Sequence, residues 1–344
     1  MAVKKPSSPL AWVGSITALF SLTAGIYGGW GFLSRQLEKR HAVDTLLAAE
    51  AVQLRASDYR SAWKTLTRAD TLDPNSARIR HAQQDAAMQW LDNIHAGDQT
   101  FTSITELLDP VLTRGAASAP TPQRQADLLA HLGWSYFLRR REVPIGPDPE
   151  AAYRETLEKD PGNPYAHAMW GHWILWNHQS PAGSSQHFAA ALASPRPGLR
   201  PYIRSMQLTA LNNFHTPETS AELIRVVNEI RKENADLDAL WPPKILGLYW
   251  EYMAPSSQDT AAFLRAVSPA EHLTAFDWLM QRSSPDDRSS FTLSWIRAAL
   301  LENAGLGPEA LVSYRTLQSR FGNDASYTLD TATRKAVARL SARR

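Results

Sequence analysis

Beyond residue 40, apolar residues recur every three or four positions rather than every second one. Ala62, Leu66, Ala69 and Leu72 keep this spacing in SAWKTLTRADTLDP, and Leu223, Val226, Val227 and Ile230 keep it in SAELIRVVNEIRKENA at 220–235. A period near 3.6 puts such residues on one face of a helix, and no stretch alternates cleanly enough for a strand. Three helical patterns run into Asp-Pro: TLDPNS at 71–76, LLDPVL at 107–112 and EKDPGNP at 158–164. Proline lacks an amide hydrogen and its ring clashes with the preceding turn, so each is expected to stop a helix. Residues 113–125, TRGAASAPTPQRQ, read as a loop or linker. The pattern predicts an all-α chain.

The N-terminus follows a different pattern. Leu10 to Ser34 reads LAWVGSITALFSLTAGIYGGWGFLS and contains no charged residue. As a helix this stretch is roughly 36 Å long at about 1.5 Å per residue, enough to cross a hydrocarbon core of about 30 Å with some tilt. Trp12 and Trp30 mark its two ends, where indoles favour the interface. A cleaved signal peptide needs a shorter apolar run and a small-x-small cleavage site, which Leu22-Thr23-Ala24 does not supply. The expectation is an uncleaved transmembrane anchor at 10–34 behind a short basic tail at 1–9. Ser21, Gly25 and Gly29 recur every four residues, a spacing that lets a second membrane helix approach closely.

The remaining helices repeat. LLAHLGWSYFL at 128–138 and PYAHAMWGHWIL at 164–175 place Leu132-Gly133 and Trp170-Gly171 at matching points. Second helices follow, with Tyr153, Thr156 and Leu157 in one unit and Ser184, Phe188 and Ala191 in the next. A last unit at 294–322 carries Ala298, then Ala310, Tyr314 and Leu317. These units resemble the tetratricopeptide repeat (TPR), a helix–turn–helix of 34 residues in that family. The family's Trp is missing from the aligned first helices. The resemblance implies an α-solenoid of TPR-like helix–turn–helix repeats after the anchor. It places TPR-like helices at 41–112, central repeats at 126–200, degenerate helical repeats at 201–290 and a C-terminal repeat with a basic tail at 291–344.

The family lines its concave groove from the first helix of each unit. Carried onto this chain, that register names Trp134, Phe137 and Leu138 in one unit and His172, Leu175 and Trp176 in the next. An aromatic strip of this kind would bind a protein or peptide partner.

Composition and charge narrow the functions. The chain has 344 residues, a formal net charge of +2 and no cysteine. Disulfides, iron–sulfur clusters, thiolate zinc sites and thiol nucleophiles are therefore excluded. Residues 1–40 hold five basic residues against Glu38 alone, so the body beyond them is slightly acidic, a poor match for nucleic acid. No GxxxxGK[ST], GxGxxG, HExxH or GxSxG motif occurs, and no cofactor or catalytic site is expected. The stretch YAHAMWGHWILWNH at 165–178 is dense in Trp and His. His167 and His172 lie five apart, however, and a helical metal pair needs three or four. Arg139, Arg140 and Arg141 suit the end of a helix through its dipole.

The function expected is a non-enzymatic, membrane-anchored scaffold that binds a protein or peptide partner in a cell-envelope assembly. The expected place is the bacterial inner membrane, with a single pass, lipid contact and a periplasmic body. The first alternative is an accessory subunit docked to a partner's membrane helix through Ser21, Gly25 and Gly29. The second is an α-superhelical envelope enzyme.

Overall fold

The computed structural model describes residues 36–94, 100–177, 180–214, 216–321 and 327–342. The expected anchor at 10–34, with Ser21, Gly25 and Gly29, lies outside them. Among the described residues the regular elements are all helical, and none is long and apolar enough to cross a membrane. The chain divides between Pro147 and Asp148 into two compact units.

The first unit holds α1 (36–55), α2 (Tyr59–Leu72), α3 (Ala77–Asp92), α4 (Phe101–Ala117) and α5 (Pro122–Arg140). Helices adjacent in sequence pack side by side from α2 to α5, and α3 also meets α5. The side chains of Asp58, Ser76, Thr100 and Thr121 accept a hydrogen bond from the backbone amide three residues on, which fixes where α2 to α5 begin. The helical face read from sequence is buried in α2 at Ala62, Leu66 and Ala69, whereas Leu72 at its end is exposed. Leu66 and Ala69 join Val43, Leu47, Ile79 and Ala86 in one core.

Two sequence expectations fail here. Pro110 does not end a helix but lies inside α4. An interior proline costs about 3 kcal/mol. The buried face of α4, with Phe101, Ile104, Leu108, Val111 and Leu112, offsets that cost. Pro110 lies on the exposed side, and so does Glu106, whose carbonyl loses its helical donor to the proline and can turn to water. The loop expected at 113–125 is helical at both ends, and only residues 118–121 separate α4 from α5. Residues beyond α5 are tied back to the start of α4. The Glu142 carboxylate accepts from the amides of Phe101 at 2.7 Å and Thr102 at 2.8 Å. These hydrogen bonds outweigh desolvation and hold its carboxyl below the ordinary range.

The second unit runs through α6 (Pro149–Lys159), α7 (Pro164–Trp176), α8 (Pro181–Leu192), α9 (Arg200–Asn212), α10 (Pro217–Lys232) and α11 (Trp241–Met253). It continues with α12 (Thr260–Ala266), α13 (Pro269–Arg282), α14 (Pro285–Ser289), α15 (Phe291–Asn303), α16 (Gly307–Phe321) and α17 (Tyr327–Ser341). One device recurs: Asp148, Asn163, Ser180, Thr216, Ser268 and Ser284 each cap a helix whose first residue is proline. The ring fixes a helical φ at the one position where the missing amide costs nothing. Consecutive helices α6–α7, α7–α8, α9–α10, α15–α16 and α16–α17 pack together. The inner faces read from sequence are buried at Ser184, Phe188 and Ala191, at Leu223, Val226, Val227 and Ile230, and at Ala298, Ala310, Tyr314 and Leu317. Gly305, at φ +79°, ends α15 in the left-handed conformation.

Candidate functional site

In the Trp/His stretch, α7 comes close to α8 at Gly171. A Cβ there would lie 3.1 Å from the Phe188 ring and 3.2 Å from the Ser184 carbonyl oxygen of α8. Ser184 Oγ donates to the Gly171 carbonyl at 2.8 Å, so the missing side chain is used for direct helix–helix contact. Beside it, the Trp170 ring stacks on Tyr153 of α6, with centroids 6.3 Å apart, and lies 4.6 Å from the His187 ring of α8. Trp170 thus joins three consecutive helices.

His172 and Trp176, four residues apart, share one face of α7. With Ala210 near the end of α9, and with Asn213 and Phe214 just after it, they line a cleft of about 190 Å³. Ala210 is small and buried, which lets α9 come close to α7. The Phe214 carbonyl accepts from the Thr216 amide at 2.7 Å and from the Thr219 hydroxyl. The capping box of α10 therefore fixes the backbone on that wall. The lining is apolar apart from an imidazole and an amide. It can take up an apolar side chain, with a polar group at its edge for a hydrogen bond.

The six residues named from the repeat register separate sharply. Trp176, at 39% exposed, is open to solvent. Phe137, Leu138 and Leu175 are buried at 1–2% and belong to the core, where no partner reaches them. Trp134 is buried as well, and its indole donates to the Leu91 carbonyl at 3.2 Å. His172 is buried except where it borders the cleft. The expected strip over both units thus reduces to one cleft in the second. The physical reason is that a first helix packed between two neighbours buries most of its circumference, so register alone overstates its exposed face. Ala210, Asn213 and Phe214 escaped the sequence reading because 201–290 carries no recognisable repeat.

The arginine run is structural at its first member. Arg139 pairs with Asp109 of α4, which also accepts from Ser135. The Arg141 guanidinium lies 5.0 Å over the Phe101 ring. His167, the metal candidate excluded by spacing with His172, meets His187 across the helix pair instead, with Nδ1 to Nδ1 at 3.0 Å. Burial and the neighbouring His167 push the His187 imidazole down to about 4. Among the described residues no group of three His, Asp or Glu side chains could hold a metal ion.

No protein-family model matches the chain, and no curated protein does either. Among solved structures, the chain is similar to a tetratricopeptide repeat protein from Parabacteroides merdae. The TM-score is 0.40 and the identity 11%, over 88% of this chain and 99% of that one.

Proposed function

We propose that this chain is a TPR-like scaffold that captures a protein or peptide partner through the α7–α9 cleft. The observation that carries this reading is the exposed Trp176 on the rim of a cleft that is apolar but for an imidazole and an amide. A large aromatic group half in water is costly to display and is a typical anchor once covered. In the same proposal, the uncharged stretch 10–34 anchors the scaffold in a bacterial inner membrane, with the body on the periplasmic side. The binding is hydrophobic with a polar edge, and it involves no chemistry on the partner.

The test is affinity purification from native membranes in mild detergent, comparing the full chain with Trp176→Ala. A partner that co-elutes with the wild type and is lost with Trp176→Ala supports the cleft. A co-eluting set unchanged by Trp176→Ala overturns it. A second reading rests on the Ser21, Gly25, Gly29 stripe, by which the chain would join a membrane complex as an accessory subunit. Deletion of residues 1–34 separates the two: a scaffold keeps its soluble partner, whereas a docked subunit loses its complex.

A further inference from the structure

His167 of α7 and His187 of α8 form a pair with defined chemistry. His167 Nε2 lies 3.0 Å from the Pro161 carbonyl oxygen. A carbonyl only accepts, so this nitrogen carries the proton and Nδ1 of the neutral ring carries a lone pair. That lone pair faces His187 Nδ1 at 3.0 Å, so His187 donates the bond that joins them. The rings are inclined at 46° with centroids 5.2 Å apart, and both are half-buried. The Trp170 ring, 4.6 Å away, covers part of His187. Two imidazole nitrogens therefore converge from different helices, one of them oriented by the carbonyl bond that typically steadies a metal-ligating histidine.

We propose that His167 and His187 form a two-imidazole site for a divalent transition metal, with Cu(II) preferred. A metal ion replaces the proton shared between the two Nδ1 atoms. That proton passes through solvent to His187 Nε2, so His187 changes tautomer and remains a neutral ligand. A small rotation of the rings turns both lone pairs onto one point. With metal–nitrogen bonds of about 2.0–2.1 Å, a 3.0 Å separation subtends about 94° at the metal. That is a cis pair in a square or octahedral ion, whereas a tetrahedral ion needs nitrogens roughly 3.3 Å apart. Square and tetragonal nitrogen sites suit Cu(II) and Ni(II), and Cu(II) heads the affinity order of the divalent series. Water or a group from a bound partner completes the coordination.

The experiment titrates the full-length, tag-free chain with Cu(II), Ni(II) and Zn(II) by calorimetry and records the Cu(II) electron paramagnetic resonance spectrum. The expected result is one Cu(II) per chain, with hyperfine structure from two imidazole nitrogens and weaker binding of Zn(II). His167→Gln and His187→Gln should each lower Cu(II) affinity at least about tenfold, as changes around metal ligands do. His81→Gln, on the exposed face of α3, should leave it unchanged. Circular dichroism separates loss of the site from loss of the fold. Where His187→Gln disturbs Trp170, His167→Gln keeps the test intact, because Cu(II) should raise the melting temperature of the wild type and not of that variant. Wild-type Cu(II) binding in the His167→Gln/His187→Gln double variant, or tighter binding of Zn(II) than Cu(II), overturns the proposal.

Discussion

Among the described residues each unit buries one histidine completely, His131 and His272, and the two are driven in opposite directions. His131 of α5 has Nδ1 at 2.7 Å from the Asp127 carbonyl oxygen and Nε2 at 3.2 Å from the Asp92 carboxylate. A carbonyl and a carboxylate both accept, so this environment favours the doubly protonated ring. Burial opposes that charge, but Asp92 outweighs it and raises the imidazole above its ordinary value. His272 of α13 is equally dry, between the Tyr249 hydroxyl at 3.4 Å and the Phe263 carbonyl at 3.3 Å, with both aromatic rings around it. Among the described residues no carboxylate is hydrogen-bonded to it, and burial, only partly offset by the Phe263 carbonyl and the Glu271 charge, pushes it down to about 4. Burial alone sets the sign against charge, and one carboxylate at hydrogen-bond distance reverses it. The units also differ at the two tryptophans named from the repeat register, which occupy different register positions. Trp134 is sealed in the first, whereas Trp176 is open in the second.

The contrast between the tryptophans gives the largest expected effect. Trp134→Ala removes a buried indole and its bond to Leu91, and should cost about 3–5 kcal/mol in a urea unfolding curve. A loss near that of an exposed residue would break the comparison. The next effect comes from acid. His272 has a folded-state value below its unfolded one, so its stabilisation is complete above about pH 6.5 and is lost as pH falls towards about 4. At about 1.4 kcal/mol per pKa unit, that loss is on the order of 3 kcal/mol. Hydrogen exchange at α11 and α13 should speed up across this window in the wild type and stay flatter in His272→Gln.

His131 should behave in the opposite sense. Its raised value stabilises fully below about pH 6.5, and that stability is lost as pH rises through the folded-state value. Asp92→Asn keeps the shape and removes the charge. It should cost about 1–3 kcal/mol near pH 6 and carry His131 below 6.5, on the side of His272. A proton-resonance titration of the imidazole reads this directly, and an unshifted His131 would refute the role given to Asp92. The smallest effect on stability belongs to Trp176→Ala, within about 0.5–1 kcal/mol of the wild type, because its ring is partly exposed rather than sealed in the core. Its effect on partner capture should be complete.

Much of the fold was legible, for reasons visible in single residues. Pro74 and Pro161 directly follow the C-caps of α2 and α6, Asp73 and Asp160, where their local cost ends the helix as expected. The period through Leu223, Val226, Val227 and Ile230 gave the buried face of α10. Pro110 misled because local sequence shows the cost of an interior proline and hides the burial that offsets it. The candidate site was half legible. His172 and Trp176 lie on one helix and follow from register, whereas Ala210, Asn213 and Phe214 reach the cleft from a segment without a repeat signature. His131–Asp92 and His167–His187 link residues 39 and 20 positions apart, and no periodicity announces such pairs.

The proline inside α4 has a consequence for the timing of local opening. Without the Pro110 amide, the helix lacks the bond that would run back to Glu106, so its ladder of amide bonds is broken part-way along. The first turn is held from outside by Glu142, like a latch on one leaf of a folding door. Opening of that end is then governed by release of one carboxylate rather than by unwinding of the whole helix. Its amides should exchange as a group, ahead of those beyond Pro110.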